Sequence, residues 1–334
     1  MVRAERSVAP KGRLIAKSGF SGYDACMNPY VGCEFGCSYC YVRFFIKDPH
    51  KPWGQFVRVR EHTEEQLPRE LSKGFFKFAD GSEMTRDAET GEKKRKKRSK
   101  TLQIADTRLV IGTMTDPYQP AESKFRITRT ALKILTDEKT PQFQKVGIFT
   151  RSPLIVQDIE LIKKLPRARV HFTVTPYPPA MLRAIEPYSA RTNTRWEVVR
   201  KLKEAGLRVH VNVAPVLPGI SEPFIQEFIE KMIELEVDEY FVDPMQPYTE
   251  SFAAFRDACQ GQTGVNWPKT EALMLDKQQY LDWKTDFFLA WDKERAKHQH
   301  KLPNQLPIWC DHENKVWVDM RTTTQMDWQK YGDD

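Results

Sequence analysis

From about residue 105 the chain alternates short apolar runs with longer amphipathic ones, and this rhythm limits the fold more than any other feature. The strand candidates are Thr107–Gly112, Val146–Thr150, Val170–Val174, Val209–Val213 and Glu239–Asp243. An extended segment near Tyr23 to Val31 precedes them and makes six. Between them lie helical patterns. Ile127 to Leu135 carries Ile127, Ala131, Ile134 and Leu135 on one face, and Trp196 to Ala205 repeats with Val198, Val199 and Leu202 before a stop at Gly206. Phe224 to Leu235 is entered through Ser221-Glu222-Pro223, with Ser221 expected to cap and Pro223 in the first turn. Strands alternating with helices imply a parallel sheet with helical crossovers. Six such units predict an α/β fold, a partial (β/α)6 TIM-type barrel whose chemistry sits on the loops after the strand C-termini.

Two segments interrupt the rhythm. Residues 74–105 read as an exposed excursion, with Asp80-Gly81-Ser82 and Thr90-Gly91 as turns. Residues 256–334 hold Trp267, Trp283, Trp291, Trp309, Trp317 and Trp328, one long helix of about Lys277 to His298, and a hairpin around Asp311-His312-Glu313-Asn314. The expected organisation is therefore a barrel over 1–255 and a C-terminal extension over 256–334 that closes it.

The first excursion also concentrates the charge. The chain has 52 Lys+Arg against 45 Asp+Glu, a net +7. Lys93-Lys94-Arg95-Lys96-Lys97-Arg98-Ser99-Lys100 supplies seven of the cations, which leaves 45 basic and 45 acidic residues elsewhere. A protein that coats polyanions with a broad basic face is thereby disfavoured. No apolar window reaches the roughly 18 residues of a membrane span. Met1 to Arg6 is basic with no apolar stretch behind it, so neither a membrane partner nor a secretory signal is expected. The expected location is the cytoplasm, where cysteines serve as ligands or catalysts more often than as disulfides.

Of six cysteines, Cys33, Cys37 and Cys40 cluster tightly, Cys26 lies seven residues upstream, and Cys259 and Cys310 are isolated. Three thiolates can hold three corners of a four-iron cube and leave the fourth iron open to a substrate or cofactor, as an open zinc position does. Gly36 lets such a loop wrap tightly. The alternative is a zinc site with Cys26 as fourth thiolate, although structural zinc usually takes paired C-x2-C spacings.

The C-x3-C-x2-C spacing with an aromatic before the last cysteine resembles the cluster loop of radical S-adenosylmethionine (SAM) enzymes. More narrowly, Asn28-Pro29-Tyr30-Val31-Gly32-Cys33-Glu34 through Cys40-Tyr41 is similar to the spore photoproduct lyase-like branch. So are Gly112-Thr113-Met114-Thr115-Asp116-Pro117-Tyr118-Gln119-Pro120-Ala121-Glu122, Ile185-Glu186-Pro187 with Arg195, and Glu204-Ala205-Gly206 followed by Ala214-Pro215-Val216-Leu217-Pro218-Gly219. These four ordered blocks cover about residues 18–245.

The resemblance implies a [4Fe-4S] cluster that reduces SAM to methionine and a 5′-deoxyadenosyl radical, which abstracts hydrogen; an external donor such as flavodoxin or ferredoxin would supply the electron. It implies Cys33, Cys37 and Cys40 as cluster ligands and Tyr39 packed near the adenine. Thr115 and Asp116 would meet the methionine amino group, and Arg151 its carboxylate through a bidentate fork. Thr173 and Asn212, on the fourth and fifth strands, would be further polar contacts. Each has a plainer alternative: Asp116-Pro117 as a turn start, Arg151 as a solvated charge, Tyr39 as packing. One departure stands out. Spore photoproduct lyases carry, after the second strand, a cysteine that returns hydrogen to the product radical, and Thr113 occupies that position here. A hydroxyl hydrogen is much harder to abstract than a thiol hydrogen, so dimer repair by that route is disfavoured. Tyr41 is a candidate radical relay.

Two substrate classes follow. One is a thymine-type base in DNA, with Lys93–Lys100 on the phosphates and the Trp-rich C-terminal region receiving a flipped base; the reaction is lesion reversal or rearrangement of a hypermodified thymine. The other is a small metabolite or peptide, with the basic run an incidental solvated loop.

Overall fold

The computed structural model describes residues 4–20, 22–86, 93–245, 250–260, 266–298, 309–311, 316–319 and 324–327. Its centre is a parallel sheet of six strands in chain order: β1 (Ala25–Met27), β2 (Arg108–Ile111), β3 (Lys145–Thr150), β4 (Arg169–Val174), β5 (Arg208–Val216) and β6 (Glu239–Pro244). Ile15–Lys17 adds an antiparallel edge to β1. The order is linear and every neighbouring pair among the six is parallel, as in a partial barrel. The extended segment expected over Tyr23 to Val31 divides. Ala25–Met27 enters the barrel, whereas Tyr30–Val31 joins Phe56–Val59 and Glu5–Val8 in a separate small sheet.

The alternation of β4 and β5 sorts their side chains. Val170, Phe172, Val174, Val209, Val211 and Val213 are fully buried under helices α1 (Ile127–Leu135), α2 (Thr192–Glu204) and α3 (Ile225–Glu234). The intervening residues Arg169, His171, Thr173, Arg208, His210 and Asn212 therefore share the opposite, concave face. That face is polar. Tyr23 Oη lies 2.6 Å from His171 Nε2, and the Phe149 ring stacks on His171 at 4.2 Å. Gly147 makes the space, since a Cβ there would meet Tyr23 Oη at 2.1 Å.

Ser221 does not cap α3. Its hydroxyl instead accepts from Leu217 N at 2.9 Å, and Glu222–Phe224 forms a 3-10 turn before the helix starts. The first excursion is a long antiparallel hairpin, Phe75–Arg86 against Lys93–Gln103, and the basic run lies along its second strand. Asp80-Gly81-Ser82 is not a turn. It falls where the register shifts between Ala79 and Ser82, the irregularity a β-bulge produces, while Thr90-Gly91 lies outside the described residues. Phe76 and Phe78 anchor the hairpin base, Phe76 stacking on Phe143 at 6.0 Å.

Helix α4 (Lys277–Ala296) lies along the outside of α3 and β6, with Trp291 on Tyr240 at 6.0 Å. Asp276 caps it through Gln279 N at 2.9 Å. Trp267, Trp283 and Trp291 are core rather than pocket: all three are buried, and Trp283 Nε1 donates to Glu222 Oε1 at 2.7 Å. These three form no open aromatic wall for a base; the side chains of Trp309, Trp317 and Trp328, expected in the same role, lie outside the described residues. The expected hairpin near Asp311 is present as Trp309–Asp311 against Val316–Asp319, extended by Thr324–Asp327. Among the described residues no helix is long and apolar enough to cross a membrane.

Candidate active site

The cysteine triplet sits on the loop that leaves Tyr30–Val31. Several distant segments hold that loop in place. Arg6 forks onto Glu34 (2.8 and 3.1 Å), Glu34 N donates to Gln119 Oε1 at 2.8 Å, and Ser38 N donates to Ile185 O at 2.9 Å. Gly36 adopts φ +61°, and a Cβ on Gly54 would stand 2.7 Å from Gly36 Cα. The two backbones touch, so the tight wrap expected of Gly36 depends on a second glycine 18 residues on.

Cys33 and Cys37 are buried and Cys40 half-buried, in a shell with Phe35, Tyr39, Trp53 and Tyr188, and none of the three is in a disulfide. Burial, reinforced by neighbouring Asp116 and Cys37, pushes the Cys33 thiol well up. Burial likewise pushes Cys37 up to about 12 against the opposing pull of Arg151. Such a group of sulfurs becomes ionised only if cations come to it. Among the described residues no three His, Cys, Asp or Glu side chains converge on a single-ion site. Tetrahedral zinc would need sulfurs only about 3.8 Å apart, from its ~2.3 Å bonds. Cys26 is elsewhere, on β1, its thiol toward Lys17 O at 3.6 Å and the Thr113 side chain. The zinc alternative loses its fourth ligand. Three sulfurs arranged in one buried shell but not around one ion fit a multi-iron cluster.

Beside Cys37 lies a buried polar network. Arg151, just after β3, donates from Nη1 to the Tyr39 hydroxyl and to Glu186 Oε1 (2.8 Å), and its guanidinium lies 5.6 Å from the Tyr39 ring centre. Glu186 Oε1 also accepts from the Tyr39 and Thr175 hydroxyls (Thr175, 2.7 Å), and its Oε2 accepts from Arg195. Burial alone would raise the Glu186 carboxyl, but Arg195 and Arg151 outweigh it and hold it at about 2. Thr175, rather than Thr173, is the hydroxyl from the β4 end that joins this network.

Thr115 and Asp116 are struts. The Thr115 hydroxyl donates to Gly32 O at 2.6 Å and accepts from Gln119 Nε2 at 2.9 Å, which fastens the β2 loop to the cysteine loop. Asp116 Oδ1 accepts from Tyr118 N (2.9 Å) and the Thr150 hydroxyl (2.7 Å), and Oδ2 accepts from Arg151 N (2.9 Å). Asp116 thus ties the end of β2 to the end of β3 and fixes the backbone from which Arg151 projects. Its carboxyl is raised by burial, which those donors partly offset.

Tyr41 and Thr113 are brought together. Tyr41 Oη donates to Thr113 O at 2.7 Å, and Asn28 spans Thr113 Oγ1 (3.4 Å) and Met114 N (2.8 Å). Thr173 and Asn212 are register partners on the concave face, one step beyond His171 and His210. Sequence reasoning singled out Glu186 and Arg195 only as part of a similar block and gave them no task, and it did not notice Thr175.

Against known proteins, residues 27–232 match the profile of the radical SAM superfamily. An uncharacterized protein of Methanocaldococcus jannaschii is 24% identical over 237 residues, covering 68% of this chain and 77% of that protein. Among solved structures, spore photoproduct lyase complexed with dinucleoside spore photoproduct aligns with a TM-score of 0.53 at 12% identity, over 85% of this chain and 80% of that one. A double mutant of the same enzyme with bound AdoMet and dinucleoside spore photoproduct gives 0.54 at 11% identity, over 78% and 67%. The chain belongs to the radical SAM superfamily. When bound, the [4Fe-4S] cluster and SAM of this superfamily supply a 5′-deoxyadenosyl radical; the protein binds, orients and shields them.

Proposed function

We propose that this radical SAM enzyme acts on a thymine-type base in DNA, as an isomerase that rearranges a hypermodified thymine or as a lyase that reverses a lesion. In this reading Cys33, Cys37 and Cys40 ligate the cluster, Tyr39 lies against the adenine, and Arg151 offers its exposed edge to the SAM carboxylate. Thr115 and Asp116 shape that pocket, Thr173 and Asn212 line its floor, and Tyr41 and Thr113 border the reacting centre. A low-potential donor of the flavodoxin or ferredoxin kind delivers the electron.

The observation that carries the substrate class is the placement of the basic run on a strand of the hairpin. Eight strand residues extend about 27 Å, the length of roughly eight base pairs of duplex. Seven cations spread over that length suit a phosphate backbone better than a metabolite. The solved spore photoproduct lyases bind a dinucleoside on a similar fold, which supports the same class. Thr113 in place of a cysteine favours the isomerase version, in which the substrate radical recovers its hydrogen from 5′-deoxyadenosine.

The test uses holoenzyme and a variant in which a two-residue turn replaces residues 80–98. The salt dependence of DNA binding should flatten by about 0.9 for each phosphate that the variant leaves unneutralised, while SAM cleavage persists. Unchanged DNA affinity and salt slope would rule out the hairpin as a grip on DNA. Thymine-deuterated DNA should also pass label into 5′-deoxyadenosine; a metabolite or peptide that does so where DNA does not would replace this reading.

A further inference from the structure

We propose that Glu186 and Arg195 are positioning residues that set the charge beside the cluster: the pair, neutral in sum, holds Arg151 and Tyr39 in place beside the shell of Cys37. The proposal rests on the triplet holding a cluster, though not on the identity of the substrate.

Arg195 is too deeply placed to meet cofactor or substrate. It is fully buried on α2, with Nε on Ala190 O (2.9 Å), Nη1 on Thr175 Oγ1 (3.1 Å) and Nη2 on Glu186 Oε2. It meets the network through Thr175 and through Glu186, which collects donors from Arg195, Arg151, Tyr39 and Thr175. The Tyr39 hydroxyl donates to Glu186 Oε1 and is neutral. Arg151 and Arg195 (+2) face Glu186 (−1), and the Asp116 carboxylate, which accepts from Arg151 N, adds another −1 at the edge of the network. These charges lie where water is excluded and fields are weakly screened. Tyr39, whose ring lies under the Arg151 guanidinium, packs in the same shell as Cys37.

One-electron reduction of a thiolate-bound cluster adds one negative charge to it, the electron coming from a low-potential donor. A buried cation nearby stabilises the reduced form more than the oxidised form. Each positive charge added to the network therefore makes the cluster easier to reduce, and each one removed makes it harder. The same lock also keeps Arg151 from folding back onto the cluster sulfurs, since Glu186 holds its Nη1.

The experiment is a redox titration of reconstituted holoenzyme without SAM, followed by electron paramagnetic resonance. Glu186→Gln raises the local charge by one and should shift the midpoint potential positive. Arg195→Met lowers it by one and should shift the potential negative. The double variant restores the wild-type charge and should return near wild type, as should Arg195→Lys. Shifts of the same sign in the two single variants, or none, overturn the proposal. So does a double variant that fails to take up iron, because a charge-setting pair must be replaceable by another of equal net charge. Iron and sulfide analysis of the wild type tests the cluster reading separately.

Discussion

Asp116 offers a direct choice between a cofactor ligand and a strut, and substitution at this residue separates the two. Its carboxylate accepts three hydrogen bonds at 2.7–2.9 Å, from Tyr118 N, Thr150 Oγ1 and Arg151 N. Bonds to a charged acceptor are each worth about 1.5–3 kcal/mol, and removing the acceptor leaves buried donors unpaired. Asp116→Ala should therefore cost on the order of 5 kcal/mol, a large share of the roughly 5–15 kcal/mol available to a folded domain. Asp116→Asn keeps an oxygen for Tyr118 N and Thr150 but sets an amide NH2 against Arg151 N–H, so about 2 kcal/mol is expected. Urea unfolding of the metal-free protein reads both as a drop in midpoint at constant slope. SAM binding to the reconstituted protein should weaken in the same order, through displaced Arg151. If Asp116→Asn unfolds within about 0.5 kcal/mol of wild type yet no longer binds SAM, Asp116 is a cofactor ligand and the strut reasoning is wrong.

Gly147→Ala should destabilise by about 2–5 kcal/mol, because its Cβ enters the space of Tyr23 Oη and breaks the bond to His171. In a Tyr23→Phe background the same change should cost measurably less, and equal costs in both backgrounds would refute the packing account. Acid should destabilise the protein in two stages. Burial lowers the folded values of His171 and His210, so below the reference 6.5 only the unfolded chain gains those protons and stability falls. Burial alone would raise Glu239, but His210 and Arg169 hold it at about 2, so its contribution is present above 4.5 and disappears as pH falls toward 2. Glu239→Gln should remove only this lower stage, on the order of 3 kcal/mol, as seen in urea midpoints across pH; an unchanged lower stage would contradict the assignment. Cys37→Ser should fold as wild type does but lose iron and sulfide on reconstitution, and full retention of both would exclude Cys37 as a ligand.

The barrel was legible because its signal is periodic. β3 to β6 appear within two or three residues of their expected positions, and α1 on the expected residues, since alternation and a 3.6-residue repeat are local properties. The triplet was legible because its spacing is short. The network behind it was not: Tyr39 and Glu186 stand 147 residues apart, Arg151 and Glu186 35, and no local pattern links them. Composition did not sort Trp267, Trp283 and Trp291, because tryptophan serves a packed core and an open pocket equally well until exposure is known. Ser221 shows the same limit at one residue, its hydroxyl drawn away from the helix by the nearby Leu217 N–H.

The hairpin has a consequence for how such an enzyme changes over time. Phe75 and Gln103 face each other at its base, so the chain comes back to the place it left. Its strands form a sheet of their own and share no ladder with the six strands of the barrel. Lengthening, shortening or recharging its outer part alters neither the order of the barrel strands nor the loop that carries the cysteines. The hairpin and the loop that carries the cysteines are thus encoded in separable stretches of sequence, and the outer hairpin can be rebuilt without touching the barrel's strand order.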